Sequence, residues 1–349
     1  MSQPAPELQP AVEPRDWAIV SPGYDALWFL APPTVAVVTG ILLTRWDQPF
    51  VHFAGRDMRL GVLCLGALTQ AHLVIVLLRS HGNAAVRRRH PVRFFAVPAL
   101  LLAAMLASPW ILVAGGVVAT FWDVYHSALQ TFGLGRIYDQ RVGNDPQVGR
   151  RLDIGLNLLL YAGPIAAGAT LVDHLASFRE FEQVGDRLLT RVPAYVMGRQ
   201  AWLTWAVVIG GTLFVIAYLG LYVRHARRGY RVAPAKVFLF ATTGLCSIYT
   251  WGFNSWGQAF LVMNLFHAVQ YFALVWWAEG GRWSERLRLD RGPVMRGLAW
   301  AAFTGGALAY GFGAQATYGL SAWYAVTLVI ALMHFWYDGF IWSVRRGEV

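Results

Sequence analysis

Long apolar stretches recur along the chain from Asp25 to the C-terminus, and this pattern limits the possible fold more than any other feature. Hydrophobic residues occupy 56% of the 349 positions, and the mean hydropathy is +0.44. Lipid offers no hydrogen bonds to a backbone, so an apolar stretch of about 20 residues satisfies its own N–H and C=O groups by forming a helix. The sequence therefore predicts an all-α fold, a polytopic bundle of transmembrane helices in the cell membrane.

The apolar stretches predict ten spans and one domain. The expected bounds of the spans are 25–44, 59–79, 93–107, 109–134, 154–176, 201–223, 236–252, 256–278, 297–313 and 320–342. Residues 1–24 are rich in proline and acidic side chains, and they lack the basic start and apolar core of a signal peptide. We predict a disordered tail over 1–24, followed by a single transmembrane helical domain over 25–349.

The distribution of arginine and lysine predicts the orientation. Most of the 29 basic residues lie near the termini or in the segments that follow even-numbered spans. The other side receives only Arg45, Arg56, Arg59, Arg179, Arg187, Arg191 and Arg199. Because short cytoplasmic loops collect basic residues, both termini are predicted to be cytoplasmic. The net charge of +10 then reflects topology and contact with anionic membrane lipids, and no soluble basic module for nucleic acid is evident.

Four histidines lie in four separate predicted spans at nearly the same depth: His72, His126, His267 and His334. Each is about 10–17 Å from the predicted cytoplasmic surface, and all four spans run in the same direction. A histidine in hydrocarbon is costly, and one alone is more often a hydrogen-bond donor between helices. Four at one depth predict a metal site instead, because neutral imidazoles are common ligands of Fe, Cu and Zn. The cysteines, Cys64 and Cys246, both fall inside spans and provide no Cys-based site.

Polar residues at helical spacing accompany three of these histidines. Metal-bound histidines usually donate their second N–H to a carboxylate or an amide, and residues three or four positions away lie on the same helix face. For Asp123 and Asp338, the alternative role is a structural ion pair. The candidate cofactor-binding residues in this supporting role are Asp123, Gln130 and Asn264. The candidate catalytic residues are Tyr271, four residues after His267, and Asp338, four residues after His334.

Two C-terminal segments carry a resemblance to a known family. They are Phe266-His267-Ala268-Val269-Gln270-Tyr271-Phe272-Ala273-Leu274-Val275-Trp276 and Leu332-Met333-His334-Phe335-Trp336-Tyr337-Asp338. Both resemble the histidine motifs of the Brp/Blh family of integral-membrane β-carotene 15,15'-dioxygenases. The resemblance implies non-haem Fe(II), molecular oxygen and an apolar polyene substrate that enters from the bilayer.

The chain departs from the family pattern at three positions. Tyr271 stands where the second histidine of a His-x-x-x-His pair would be, and no acid follows His72. Asp123 precedes His126 instead of following it. A rearranged ligand set, a different substrate or convergence on polar helix features would each explain these departures.

The sequence as a whole favours a membrane-embedded, His-ligated non-haem iron oxygenase with a lipid-soluble, carotenoid-like substrate. Zn, Cu or haem are the alternative cofactors for the same residues. Two other classes of function stay open at this stage. One is a haem-binding protein of electron transfer, with histidine pairs as axial ligands. The other is a proton-coupled transporter that uses histidine and aspartate as relays.

Overall fold

The structure is a computed structural model that describes residues 17–45, 49–145, 147–317 and 321–342. Within these residues the regular secondary structure is helical except for one short antiparallel hairpin, with β1 at Phe50–Phe53 and β2 at Arg56–Arg59, which confirms the all-α prediction. The α-helices are α1 Pro22–Asp25, α2 Pro32–Arg45, α3 Leu60–Val74, α4 Val76–Ser80, α5 Ala84–Arg89, α6 Val97–Ala107, α7 Pro109–Arg141, α8 Arg150–Ala167, α9 Leu171–Ala176, α10 Val192–Met197, α11 Gln200–Arg227, α12 Pro234–Phe253, α13 Trp256–Arg286, α14 Gly292–Ala316 and α15 Ser321–Ile341. Short π-helices lie at Ala26–Leu30 and Val92–Ala96, and 3₁₀ turns at Ser177–Val184 and Leu189–Arg191.

Fewer helices than predicted are both long and apolar enough to cross a membrane. Within the described residues, five meet that standard: Leu60–Ser80, Pro109–Arg141, Gln200–Arg227, Trp256–Arg286 and Ala322–Ile341. Two bent pairs raise the number to seven if each is one span, Pro22–Leu30 with Pro32–Leu42 at 43° and Arg150–Ala167 with Leu171–Val184 at 86°. The prediction of ten spans therefore becomes five, or up to seven.

The shortfall has identifiable physical causes. The predicted span 93–107 corresponds to an apolar helix, Val92–Ala107, that is shorter than a bilayer requires. Helices α12 and α14 are long enough but do not reach the apolar content of the five spans, because α12 contains Lys236 and α14 contains six glycines. Pro32 and Pro33 follow the bend before α2, where they supply no backbone N–H groups to the preceding turn.

Helix α13 lies at the centre of the bundle and α11 at its periphery. In the most apolar 18-residue stretch of α13, 67% is buried inside the protein, whereas none of the equivalent stretch of α11 is buried. Helix α13 packs against α2, α3, α12 and α14, and α15 packs against α3, α6 and α7. The helices α3, α7, α13 and α15, which carry the four conspicuous histidines, therefore surround one shared interior.

Contacts between connecting segments define two ends of the bundle. At one end, Arg56 donates to the Gln315 carbonyl and the Ala169 amide donates to the Gly252 carbonyl. At the other end, the Asn144 side chain bonds to the Arg231 backbone, Arg141 to the Ile19 carbonyl, and Arg286 to the Gly82 carbonyl. The loops that the charge pattern predicts to share a side of the membrane are thus neighbours in space.

Four charged side chains form a buried cluster, the charge clamp, between α7, α8 and α12. Arg136 pairs with Asp139 at 2.5 Å and with Asp153 at 2.8 Å. Lys236 completes the clamp at 2.8 Å from Asp139 and 2.7 Å from Asp153. The two positive and two negative charges balance, which is the condition for burying them at tolerable cost. Arg136 lies inside α7, although the predicted fourth span ended at 134.

The N-terminal segment is folded as far as the structure describes it. The Ile19 and Val20 amides donate to the Asp25 carboxylate at 2.6 and 3.0 Å, and Ile19 is buried. The predicted disorder over 1–24 therefore does not extend to residues 17–24. The rest of that tail, and the C-terminal residues 343–349, lie outside the described residues, so the shared side of the two termini stays a prediction.

Candidate metal centre

Four buried imidazoles meet where α3, α7, α13 and α15 converge. They belong to His72, His126, His267 and His334, the histidines singled out in the sequence. In the order His72, His267, His126 and His334 they close a ring, with neighbouring centroids 4.7 to 5.1 Å apart and interplanar angles of 72° to 89°. We call this arrangement the histidine ring.

The nitrogen atoms of the histidine ring are close enough to share an ion. Nitrogens of His72, His267 and His334 lie within 4.8 Å of one another. The Nε2 atoms of His126 and His334 are 3.0 Å apart. With metal–nitrogen bonds of about 2.0–2.1 Å, two ligands of one ion stand roughly 3 Å apart when adjacent and roughly 4 Å apart when opposite. The possible ligand atoms form two groups that share His334: His72 with His267 and His334, and His126 with His334 and Asp338.

The hydrogen bonds of the ring leave nitrogens available for a ligand. His334 Nδ1 lies 3.2 Å from the carbonyl oxygen of Leu73, which can only accept, so the proton of a neutral ring is on Nδ1 and Nε2 is unprotonated. Neither ring nitrogen of His72 or His267 has a hydrogen-bond partner in the part of the chain that the structure describes. Each buried polar atom left unpaired costs about 1–3 kcal/mol. An ion would pair one nitrogen of each of these rings, so the residues present fit a resident metal.

Asp338 faces the ring with one oxygen and is fixed by the other. Its Oδ1 accepts hydrogen bonds from the Tyr271 hydroxyl at 2.8 Å and the Trp342 indole N–H at 2.9 Å. Its Oδ2 lies 3.8 Å from the Nε2 atoms of both His126 and His334. The carboxylate is thus oriented toward the same space as the ring nitrogens, and it reaches that position from the next turn of α15.

Gln130 lies beside the ring, whereas Asp123 and Asn264 do not contact it. The Gln130 amide donates to the His267 carbonyl at 3.2 Å and to the Gln270 side chain at 3.4 Å, which joins α7 to α13. The Asn264 amide donates to the Phe260 carbonyl of its own helix at 2.9 Å. For Asp123, no hydrogen bond or ion pair with His126 is found among the described residues. A step of three residues turns a side chain by about 60° from the face of its neighbour, which is enough to miss a small cluster.

Two groups at this site were missed by sequence reasoning. One is Trp342, whose spacing of four from Asp338 places both side chains on the same face of the last helix and is a signal that the sequence contains. The Leu73 carbonyl gives no signal in the sequence. It belongs to the last turn of α3, which ends at Val74, and the final four carbonyls of a helix lack partners within it.

Arg79 connects the site to the end of the bundle. Its guanidinium lies 4.1 Å from the Trp342 ring centroid and pairs with the buried carboxylate of Glu279 at 2.8 Å. The Arg79 Nε also donates to the Ile341 carbonyl at 3.1 Å. These bonds fix the C-terminal turn of α15 against α4 and α13, and they thereby fix the indole that holds Asp338.

A cavity of about 1050 Å³, the α7 groove, lies beside the histidine ring and follows one face of α7. His126 and Asp338 are part of its wall. Aromatic side chains, among them Trp122 and Phe335, line the groove on one side of this point, and Arg150 lines it at the start of α8. His126 and the Asp338 carboxylate therefore border a space large enough for a small-molecule ligand.

Comparison of the chain with known protein families, with curated proteins and with solved structures found no match in any of the three. The functional conclusion therefore depends on the chemistry of the site itself.

Proposed function

We propose that this protein is a membrane-embedded oxygenase that binds one metal ion through His72, His126, His267 and His334 and acts on a lipid-soluble substrate. The observation that carries the proposal is the convergence of four buried imidazoles beside the α7 groove. The resemblance of the two C-terminal histidine segments to the Brp/Blh family also supports the proposal. Membership of that family is part of what we propose.

Neutral imidazoles suit a divalent transition metal in an apolar interior, because they add no charge of their own. Fe(II) is the ion that the resemblance implies, and Zn and Cu accept the same ligands. Bound there, Fe(II) would supply chemistry with molecular oxygen, which protein side chains lack.

The protein's own residues have separable roles in this proposal. The histidine ring holds the ion, and the hydrogen bond from His334 Nδ1 to the Leu73 carbonyl leaves Nε2 unprotonated, 3.0 Å from His126 Nε2. Asp338 offers Oδ2 as a proton acceptor and is held in place by Tyr271 and Trp342. The aromatic walls of the α7 groove exclude water and orient an apolar chain beside His126.

The ring spacing favours a single ion over haem. Two axial histidines of a haem hold their nitrogens about 4 Å apart on opposite faces of a flat macrocycle. Here the nitrogens of His126 and His334 are 3.0 Å apart, and each imidazole of the ring contacts two others at right angles. No slot for a porphyrin lies between them.

The proposed setting is the cell membrane. The five apolar helices supply the spans, and the end of the bundle that contains Gly82 and Gly229 is placed in the cytoplasm because the arginine-rich loops lie there. A lipid-soluble substrate would then reach the site from the bilayer without crossing water.

Metal analysis of the detergent-purified protein tests the proposal directly. We expect about one equivalent of iron per chain in protein purified without chelators, and no haem absorption in its optical spectrum. His267→Ala and His334→Ala should abolish bound metal, because no water replaces a lost ligand cheaply in an apolar interior. His52→Ala is the matched control, since the His52 side chain is 69% exposed and lies in β1, away from the ring.

Folding must be checked in every variant by size-exclusion chromatography and thermal unfolding. A folded His267→Ala protein that keeps its full metal content would contradict the metal site. A wild-type protein that never contains metal under any reconstitution would favour the proton-relay alternative for the same residues.

A further inference from the structure

The α7 groove has one polar end and one apolar end. On α7 its lining runs from Trp122 to Ile137, a length of about 22 Å. Trp122 and Phe335 line the apolar end and contact each other. The opposite end is lined by Arg150 and Gln147 at the beginning of α8. A ligand that matches the groove is therefore long, apolar over most of its length, and polar at one end.

Arg150 gives the polar end of the groove a positive charge that can bind an anion. Arg136, which also lines the groove, is committed to Asp139 and Asp153 in the charge clamp. Arg150 forms no ion pair with any carboxylate of the described residues, and its guanidinium lies over the Phe132 ring at 5.7 Å. The Arg150 guanidinium is therefore the group that favours an anion at this end of the groove.

The spacing along α7 places the middle of a chain at the histidine ring. Phe132, beneath Arg150, follows His126 by six residues on the same helix, which corresponds to about 9 Å. A carboxylate on Arg150 thus leaves several methylene groups before the chain passes His126 and Asp338. The remainder of the chain would lie against Trp122 and Phe335.

We propose that the α7 groove binds a long-chain carboxylate, with its head group on Arg150 and its chain running past the histidine ring. The inference rests on the proposed oxygenase function for the identity of this ligand as the substrate. It replaces a symmetrical hydrocarbon such as a carotene by an acidic, single-chain lipid. Binding itself requires no metal, so it can be measured separately.

Photo-crosslinking of the full chain in lipid nanodiscs tests the inference. The probe is palmitate with a diazirine in mid-chain, and intact mass and peptide mapping measure the labelling. We expect adducts on the groove face of α7 and on α15 beside Asp338. Unlabelled palmitate should compete with the probe at least about threefold better than its methyl ester, because the ester has lost the charge that Arg150 recognises.

Two pairs of variants separate the groove from the rest of the surface. Arg150→Gln should lower labelling at least about threefold and abolish the preference for acid over ester, whereas Arg151→Gln, next to it but outside the groove, should change neither. Gly133→Leu should block labelling, because it fills the groove at a position where a Cβ meets no atom within 4 Å. Gly220→Leu, on peripheral α11 with the same freedom, is the control.

The possible outcomes distinguish this inference from the proposed function. Labelling that is indifferent to Arg150 and Gly133, or competed equally by methyl palmitate or β-carotene, overturns the carboxylate ligand even when metal is bound. Arg150-dependent labelling in a protein that binds no metal supports the ligand while the oxygenase proposal fails.

Discussion

Tyr271 and Trp342 donate to the same oxygen of Asp338, which leaves the second oxygen as the only one that faces the histidine ring. A carboxylate held twice on one side cannot rotate without breaking both bonds, so its orientation is set before any ligand arrives. Tyr271 thus supports the acid through its hydroxyl and offers no imidazole to an ion.

Removing either donor should weaken the site without unfolding the protein. We expect Tyr271→Phe and Trp342→Phe each to lower metal affinity or turnover by roughly 10–100-fold, as is usual for groups that orient metal ligands. Metal titration of chelator-treated protein measures the effect. Tyr310→Phe is the control, because the buried Tyr310 hydroxyl has no hydrogen-bond partner among the described residues. Equal affinities in all three variants would contradict the supporting role.

The two acids that the sequence proposed for the site should now behave differently. Asp338→Asn keeps an oxygen for Tyr271 and Trp342 but can turn an amide toward His126 and His334, so metal binding or activity should fall about 10–100-fold. Asp123→Asn should leave metal binding unchanged, since no bond to His126 is present. The comparison uses metal content and thermal unfolding of both variants. A loss confined to Asp123→Asn would reverse these assignments.

The spacing of residues in the sequence predicted which side chains belong to the site better than it predicted the groups to which they bond. The pair His334 and Asp338 lies one turn apart on α15, and the structure keeps both on one face. Asn264, three residues before His267, instead donates a hydrogen bond to the Phe260 carbonyl of its own helix. Interhelical partners such as the Leu73 carbonyl depend on where a neighbouring helix ends, and a single sequence does not contain that distance.

At the scale of helices, α14 packs closely against α3 at Gly311. A Cβ on Gly311 would lie 2.0 Å from the carbonyl oxygen of Ala67, a backbone atom that cannot move aside. Helix α3 carries His72, so the position of α14 also sets the position of one side of the histidine ring.

Gly311→Ala should force these two helices apart. We expect a loss of about 1–3 kcal/mol in the free energy of unfolding, together with weaker metal binding through displaced His72. Gly306→Ala on the same helix is the matched control, because its Cβ would meet nothing within 4 Å and alanine is the better helix former. Thermal unfolding of the two variants side by side measures the difference, and similar stabilities would show that the close approach is not rigid.

The charge clamp makes a second prediction about helix packing. Lys236→Met leaves Asp139 and Asp153 facing each other with Arg136 as the remaining cation, and an unbalanced buried charge costs about 3–5 kcal/mol. The double variant Lys236→Met with Asp139→Asn restores the balance and should recover part of that loss. Chemical unfolding in detergent measures both. A single variant as stable as the wild type would mean that water reaches the clamp.

The prediction of ten spans was partly wrong because an apolar stretch of sequence does not show where a helix bends or ends. Every predicted stretch overlaps a helix or a bent pair of helices, so the apolar pattern identified the elements. The 86° bend after α8 follows Gly168, which is in an extended conformation, and the helix Val92–Ala107 is too short to cross a bilayer.

At the scale of the whole molecule, the loops sort into two ends that agree with the charge pattern. Reporter fusions after Gly82 and after Gly229 should both read as cytoplasmic, and a fusion after Asp186 as external. Alkaline phosphatase and a fluorescent protein provide complementary readouts. If Gly82 and Gly229 read on opposite sides, the common depth of the four histidines is lost as well; if both read as external, only the orientation changes.

The histidine ring draws its members from positions 72, 126, 267 and 334, and the last of these lies on the final helix, α15. A chain that has been synthesised only as far as α14 holds three of the four imidazoles and has neither Asp338 nor Trp342. The complete ligand set of the proposed metal site therefore exists only after α15 has been inserted. The proposed function thus depends on assembly, because a chain that ends before α15 has neither the fourth imidazole nor the carboxylate that faces the histidine ring.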